Sequence, residues 1–129
     1  MRFARNFQAL RQRNGRIGER LCEIALRQRG YLLIEKVEAA RTQTGIYLKT
    51  CSGDFRAVEP GGRSVLVECK SCKGNLTRSK FRPHQISSLQ EHHAAGGRSI
   101  VAHVTDAGCR LIPWEDICAK LILAESGIK

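Results

Sequence analysis

Three side chains in the segment SGDFRAVEPGGRSVLVECKS, running from Ser52 to Ser71, have types and spacing that could do chemistry: Asp54, Glu68 and Lys70. Side chains alternate along a strand, so Glu68 and Lys70 project from one face about 7 Å apart. The β-rich runs DFRAVE and RSVLVECK flank PGG, a hairpin signal. Antiparallel pairing through that turn carries Asp54 at the start of one strand to the far end of the other, beside Glu68 and Lys70. Two carboxylates on rigid strands suit a hard divalent cation and leave positions for water and a phosphate oxygen. A lysine beside them can orient the attacking water or neutralise charge at phosphorus. The same residues have a plainer reading, because E-x-K is a common tripeptide. An exposed Glu–Lys pair on a surface hairpin would be worth little.

The rest of the chain must position these groups. NGRIGERLCEIALRQRG reads as a first helix, with Asn14 as N-cap, Gly30 at the C-terminal stop, and Ile17, Leu21, Ile24 and Ala25 on one face. YLLIEKVE is a short strand, and AARTQTGIYLKTCSG a loop with room for one strand pairing. After the hairpin comes the polar loop SCKGNLTRSKFR. PHQISSLQEHHAAGG is then a helix opened by Pro83 and closed by Gly96-Gly97. RSIVAHV and CRLIP are strands around the turn TDAG, and WEDICAKLILAE is a final helix with Ile117, Leu121 and Ala124 on one stripe. The order α-β-β-β-α-β, then β-α, implies an α/β fold with helices covering a small mixed sheet. The 129 residues make one domain, with residues 1–14 as a basic arm and 105–129 as a C-terminal strand and helix addition.

Charge narrows the partners. With 22 Lys and Arg against 12 Asp and Glu, the formal net charge is +10, which favours a polyanion. No apolar run is long enough to span a membrane and no secretory segment follows Met1, so a cytoplasmic setting is expected, nucleoid-associated or encoded by a phage or mobile element. The first 18 residues lack acid and Ser, which fits a basic arm or a solvated charged end better than an organellar presequence. Arg11, Arg13, Arg16 and Arg20 are the candidate phosphate contacts there. Lys73, Arg78, Lys80, Arg82 and His84 follow Lys70 closely enough to form a second set. Aromatic residues make up only 5% of the chain, too few for a base-stacking platform.

The six cysteines read as reduced thiols. The spacing of Cys69 and Cys72 invites zinc, but neither His92-His93 nor Cys109 with Cys118 supplies a second pair at standard spacing. On a strand, Cys69 would face away from Glu68 towards a core. His92 and His93 read as a solvated helix end, His103 as a packed strand histidine, and Trp114 as a core or dimer anchor.

Asp54 followed by Glu68-Cys69-Lys70 after a hairpin resembles the PD-(D/E)XK nuclease superfamily. Within it the chain is similar to Holliday junction resolvases of the archaeal Hjc and bacterial RecU types. GRIGER, with Gly15 and Glu19-Arg20, is similar to the helical G-x-x-x-E-R of the archaeal enzymes. FRPHQISSL, with Phe81 and His84-Gln85, resembles the F…HQ segment of RecU-like proteins. The resemblance covers roughly Gly15 to Val104. One departure is Gly53, where the family usually has Pro before the first Asp, and a glycine there would hold Asp54 less rigidly.

The resemblance implies a restriction-endonuclease-like αβββαβ core with a mixed central sheet flanked by helices. It implies Asp54 and Glu68 as ligands of Mg²⁺ (with Mn²⁺ as its substitute), Lys70 as catalytic lysine, Glu19 as auxiliary ligand and Gln85 at the edge of the site. The activity implied is hydrolysis of DNA phosphodiesters at branched structures by a homodimer, with neither a membrane nor a small molecule as partner. The alternatives are a nicking or restriction-type nuclease on duplex, a non-catalytic DNA-binding protein of this fold, and a basic domain docking on RNA.

Overall fold

A computed structural model describes residues 16–37 and 54–125, with side chains to Leu121. The readings that fall on residues 1–15, on 38–53 and beyond 125 lie outside them, including Arg11, Arg13 and Gly53, as does the side chain of Ala124. In chain order come α1 (described over residues 16–28), β1 (Leu32–Lys36), β2 (Phe55–Val58) and β3 (Ser64–Ser71). These are followed by α2 (Pro83–Ala94), β4 (Arg98–Thr105), β5 (Gly108–Pro113) and α3 (Trp114–Glu125). The five strands form one sheet in the order β1-β2-β3-β4-β5, antiparallel except between β3 and β4. That single parallel pair requires a crossover, and α2 makes it.

Alternation along the central strands divides the core into two layers. Val65 and Val67 of β3, Ile100 and Ala102 of β4, and Phe55 and Ala57 of β2 pack under Cys22 and Leu26 of α1. Leu66 and Val101 face the other way, against Phe81, Leu89, Trp114, Ile117 and Leu121. β3 and β4 are therefore covered on both faces, which explains their nearly continuous apolar runs. Trp114 is a core anchor at 1% exposure, and its indole N–H donates to Gln90 Oε1 at 2.9 Å.

The β2–β3 connection confirms the hairpin signal. Gly61 and Gly62 both have φ near +100°, a region that side chains rarely adopt. The loop closes with Gly62 N–H donating to Glu59 O and Glu59 N–H to Arg63 O, each at 2.9 Å.

Helix α1 is rotated from the expected face. Ile17 and Ile24 are 47% and 39% exposed, and the buried line is instead Gly18, Cys22 and Leu26. Gly18 is the cause. A Cβ there would collide with Ser71 Oγ at the end of β3, so the helix lies close on the sheet at Gly18. Gly18→Leu is expected to lift α1 from β3 and to cost on the order of 3 kcal/mol, read as a lower denaturant midpoint at unchanged m-value.

β1 is shorter than the apolar run that announced it. Leu33 has φ of 50° and the pairing with β2 is irregular between Leu32 and Glu35. Leu33 is left 79% exposed.

Candidate active site

The hairpin register brings Asp54 to Glu68. Asp54 N–H donates to Val67 O, and Cys69 N–H donates to Asp54 Oδ2, both at 2.8 Å. The carboxylate is thus held by the backbone of the residue between Glu68 and Lys70. Asp54 is half-buried and Glu68 is 3% exposed, and the charge on Asp54 is felt at Glu68.

Gln85 ties the second half of the site together. It is the third residue of α2, where a Gln can accept from the backbone of the residue capping the helix, and Arg82 N–H donates to its Oε1 at 2.9 Å. Lys70 Nζ donates to the same oxygen at 2.7 Å. With both donors on Oε1, the amide nitrogen turns to Glu68 and donates to Oε1 of that carboxylate at 2.6 Å. Lys70 Nζ is 3.6 Å from Glu68 Oε1 and 5.2 Å from the centroid of the Phe81 ring. Phe81 is itself fixed edge-on against Trp114. The ammonium has little freedom.

Burial and repulsion shape the charge state of the pair. Burial pushes the Glu68 carboxyl up to about 7, and the Asp54 charge adds to the rise against the opposing pull of Lys70. Burial also raises Asp54, with the Glu19 charge adding to it, although the Cys69 N–H and Lys70 favour its ionised form. Two half-desolvated carboxylates that resist ionising together are a donor set that a hard divalent cation satisfies. Asp54 and Glu68 would hold the ion.

Glu19 stands beside this pair without completing it. Its Oε2 is 2.6 Å from Lys36 Nζ on β1, and among the described residues no three His, Cys, Asp or Glu side chains gather in a metal-holding group. The same fact bears on the C-x-x-C spacing. Cys69 packs into the α1 layer, whereas Cys72 Sγ lies 3.5 Å from His103 Nε2. His103 is a packed histidine as expected, with its Nε2 also 3.0 Å from Cys72 O. His92 differs from the solvated reading: its Nε2 is buried without a hydrogen-bond partner, with the ring against Gly97.

The basic candidates are distributed around the site. Lys80 and Arg82 are exposed at the 3₁₀ turn Arg78–Lys80 and the start of α2, as are Arg78 and His84. Lys73 is exposed and lies 4.0 Å from Asp106. Arg16 and Arg20 are exposed on α1, where Arg20 pairs with Glu23. Lys36 is a contributor that spacing did not reveal. Phe81 had a signal in its distance from His84-Gln85, but nothing local announced the partner of Glu19.

Gln85→Leu removes the link between Lys70 and Glu68 at similar volume. It is expected to lower the rate of the site's reaction about 10- to 100-fold, the usual effect of losing a supporting hydrogen bond, with substrate affinity unchanged in a binding titration.

No protein-family model matches the sequence, and no curated protein matches it significantly. The fold, by contrast, has solved counterparts. The chain has a restriction-endonuclease-like α/β fold. One solved structure with this likeness, determined at 1.6 Å, is Archaeoglobus fulgidus Hjc, a Holliday junction resolvase from an archaeal hyperthermophile. It is similar with a TM-score of 0.51 over 74% of each chain, at 19% sequence identity. Among the described residues no helix is long and apolar enough to cross a membrane.

Proposed function

We propose that this chain is a Mg²⁺-dependent endodeoxyribonuclease that cuts branched DNA, with the four-way junction as its substrate. The observation that carries the reading is the pair of adjoining contact sets Asp54–Cys69 N–H and Glu68–Gln85–Lys70. It places two carboxylates and an ammonium at the end of one strand of a fold shared with a resolvase.

A divalent ion bound there would supply Lewis acidity towards a phosphate oxygen and lower the pKa of water. The chain's own groups do the rest. Asp54 and Glu68 fix the cation-binding edge, because both are anchored through backbone or helix N-terminal contacts. Lys70 lies beside Glu68, where it can neutralise the negative charge that develops at phosphorus and orient the attacking water in line with the leaving 3′-oxygen, so that a 3′-hydroxyl and a 5′-phosphate result. Gln85 keeps the ammonium aimed. The exposed cations at the start of α2 supply backbone affinity.

Matched labelled DNAs (four-way junction, fork and linear duplex) incubated with Mg²⁺ or EDTA test this. Symmetric, Mg²⁺-dependent cuts confined to the junction are expected. Equal cutting of linear duplex would move the chain to a general nuclease, and tight binding without cutting in any metal would make it a DNA-binding scaffold.

A further inference from the structure

The row that holds Lys70 continues across the sheet. Lys70 lies opposite His103 in β4, and His103 lies opposite Arg110 in β5. Residues opposite one another share a face, so these side chains stand in line on the α2 side over about 10 Å, two inter-strand spacings. The line ends in a cavity of about 390 Å³ whose walls include His103, Arg110, Asn75, Asp116 and Lys120, with Ile112 beneath. Arg110, Lys120 and Asn75 are exposed.

The cations of this cavity are uncommitted. Among the described residues the side chains of Arg110 and Lys120 make no ion pair and no hydrogen bond, although Asp116 is one helical turn from Lys120. His103 has a different task, since its contact with Cys72 O ties the loop after β3 to the sheet. An arginine fork, an ammonium and an amide around a concave site match a phosphate. Their distance from Lys70, two inter-strand spacings, is one that a single strand spans within a few nucleotides.

We propose that this cavity binds a backbone phosphate of the strand being cut, within a few nucleotides of the scissile bond, through Arg110, Lys120 and Asn75. The inference rests on the reading of Asp54, Glu68 and Lys70 as a nuclease centre. It adds where the strand runs, over β4 and β5 towards α3. Such a contact positions the strand without reading its sequence.

Binding of a four-way junction in EDTA, titrated over a series of salt concentrations, tests the cavity independently of cleavage. Arg110→Gln with Lys120→Gln is expected to make the salt dependence shallower by about one unit of log–log slope, the amount for one lost phosphate contact. Arg27→Gln with Arg29→Gln, in the last turn of α1 and just beyond it, removes equal charge and is expected to leave the slope near that of the wild type. Junctions with a single neutral methylphosphonate linkage then locate the phosphate. One position should weaken wild-type binding several-fold and leave the cavity variant unaffected. A slope equal to that of the control, or linkage effects that add to the variant's at every position, would overturn the cavity assignment while leaving the nuclease reading intact. A wild type that binds no DNA would overturn both.

Discussion

Lys70→Ala is expected to lower single-turnover cleavage of a four-way junction by about a hundred- to a thousandfold and to leave junction affinity within about twofold. The size of the effect follows from where the ammonium sits. It is 2.7 Å from Gln85 Oε1, 3.6 Å from Glu68 Oε1 and over the Phe81 ring, with its side chain only 16% exposed. A charge held there acts through a medium that screens it less than water does, so its removal is felt in the transition state. Affinity is spread over many phosphate contacts, and one half-buried lysine contributes little to it. Lys70→Arg is expected to rescue poorly. A planar fork cannot reproduce a compact ammonium held between Gln85 and Phe81.

Glu68→Gln is expected to abolish cleavage and, with EDTA present, to raise thermal stability above that of the wild type near pH 8. In the folded chain Glu68 is raised from its ordinary 4.5 to about 7 by burial first and the Asp54 charge second. The folded state therefore holds this proton more tightly than the unfolded state does. Stability from it is fully present below pH 4.5 and is lost as pH rises through about 7. A glutamine keeps the volume and can still accept from Gln85 Nε2, without the charge. The wild-type melting temperature, measured relative to the variant, should fall between pH 5 and pH 8. If the intact pair holds Mg²⁺ as proposed, addition of the ion at pH 8 should raise the wild type and leave the variant unmoved. A wild type and variant whose melting temperatures run parallel across that range would show that Glu68 carries no unfavourable charge.

The parts of this site that are close in sequence were legible from it. Alternation put Glu68 and Lys70 on one face, and the PGG turn set the register that delivers Asp54 to Cys69 N–H. Pro83 marked the start of α2, and with it Gln85 at the third position, where capping geometry aims its amide. Less legible were the contacts decided by how elements meet. Helix α1 was given the wrong buried face because apolar periodicity favours large residues, whereas its approach to β3 is set by the absence of a side chain at Gly18. Glu19 was read as part of the carboxylate set, yet its partner Lys36 lies on a strand whose pairing is irregular and has no turn signature. The basic row from Lys70 to Arg110 depends on a parallel register across a helical crossover, which no local pattern encodes.

The most direct test is single-turnover cleavage of a labelled four-way junction in Mg²⁺ by the wild type, Asp54→Asn, Glu68→Gln and Lys70→Ala, with binding of the same junction measured in parallel. The account predicts paired symmetric cuts by the wild type, none by the two carboxylate variants, and a rate reduced a hundredfold or more for Lys70→Ala, with all four proteins binding comparably. Wild-type cutting rates in any of the three variants would contradict it.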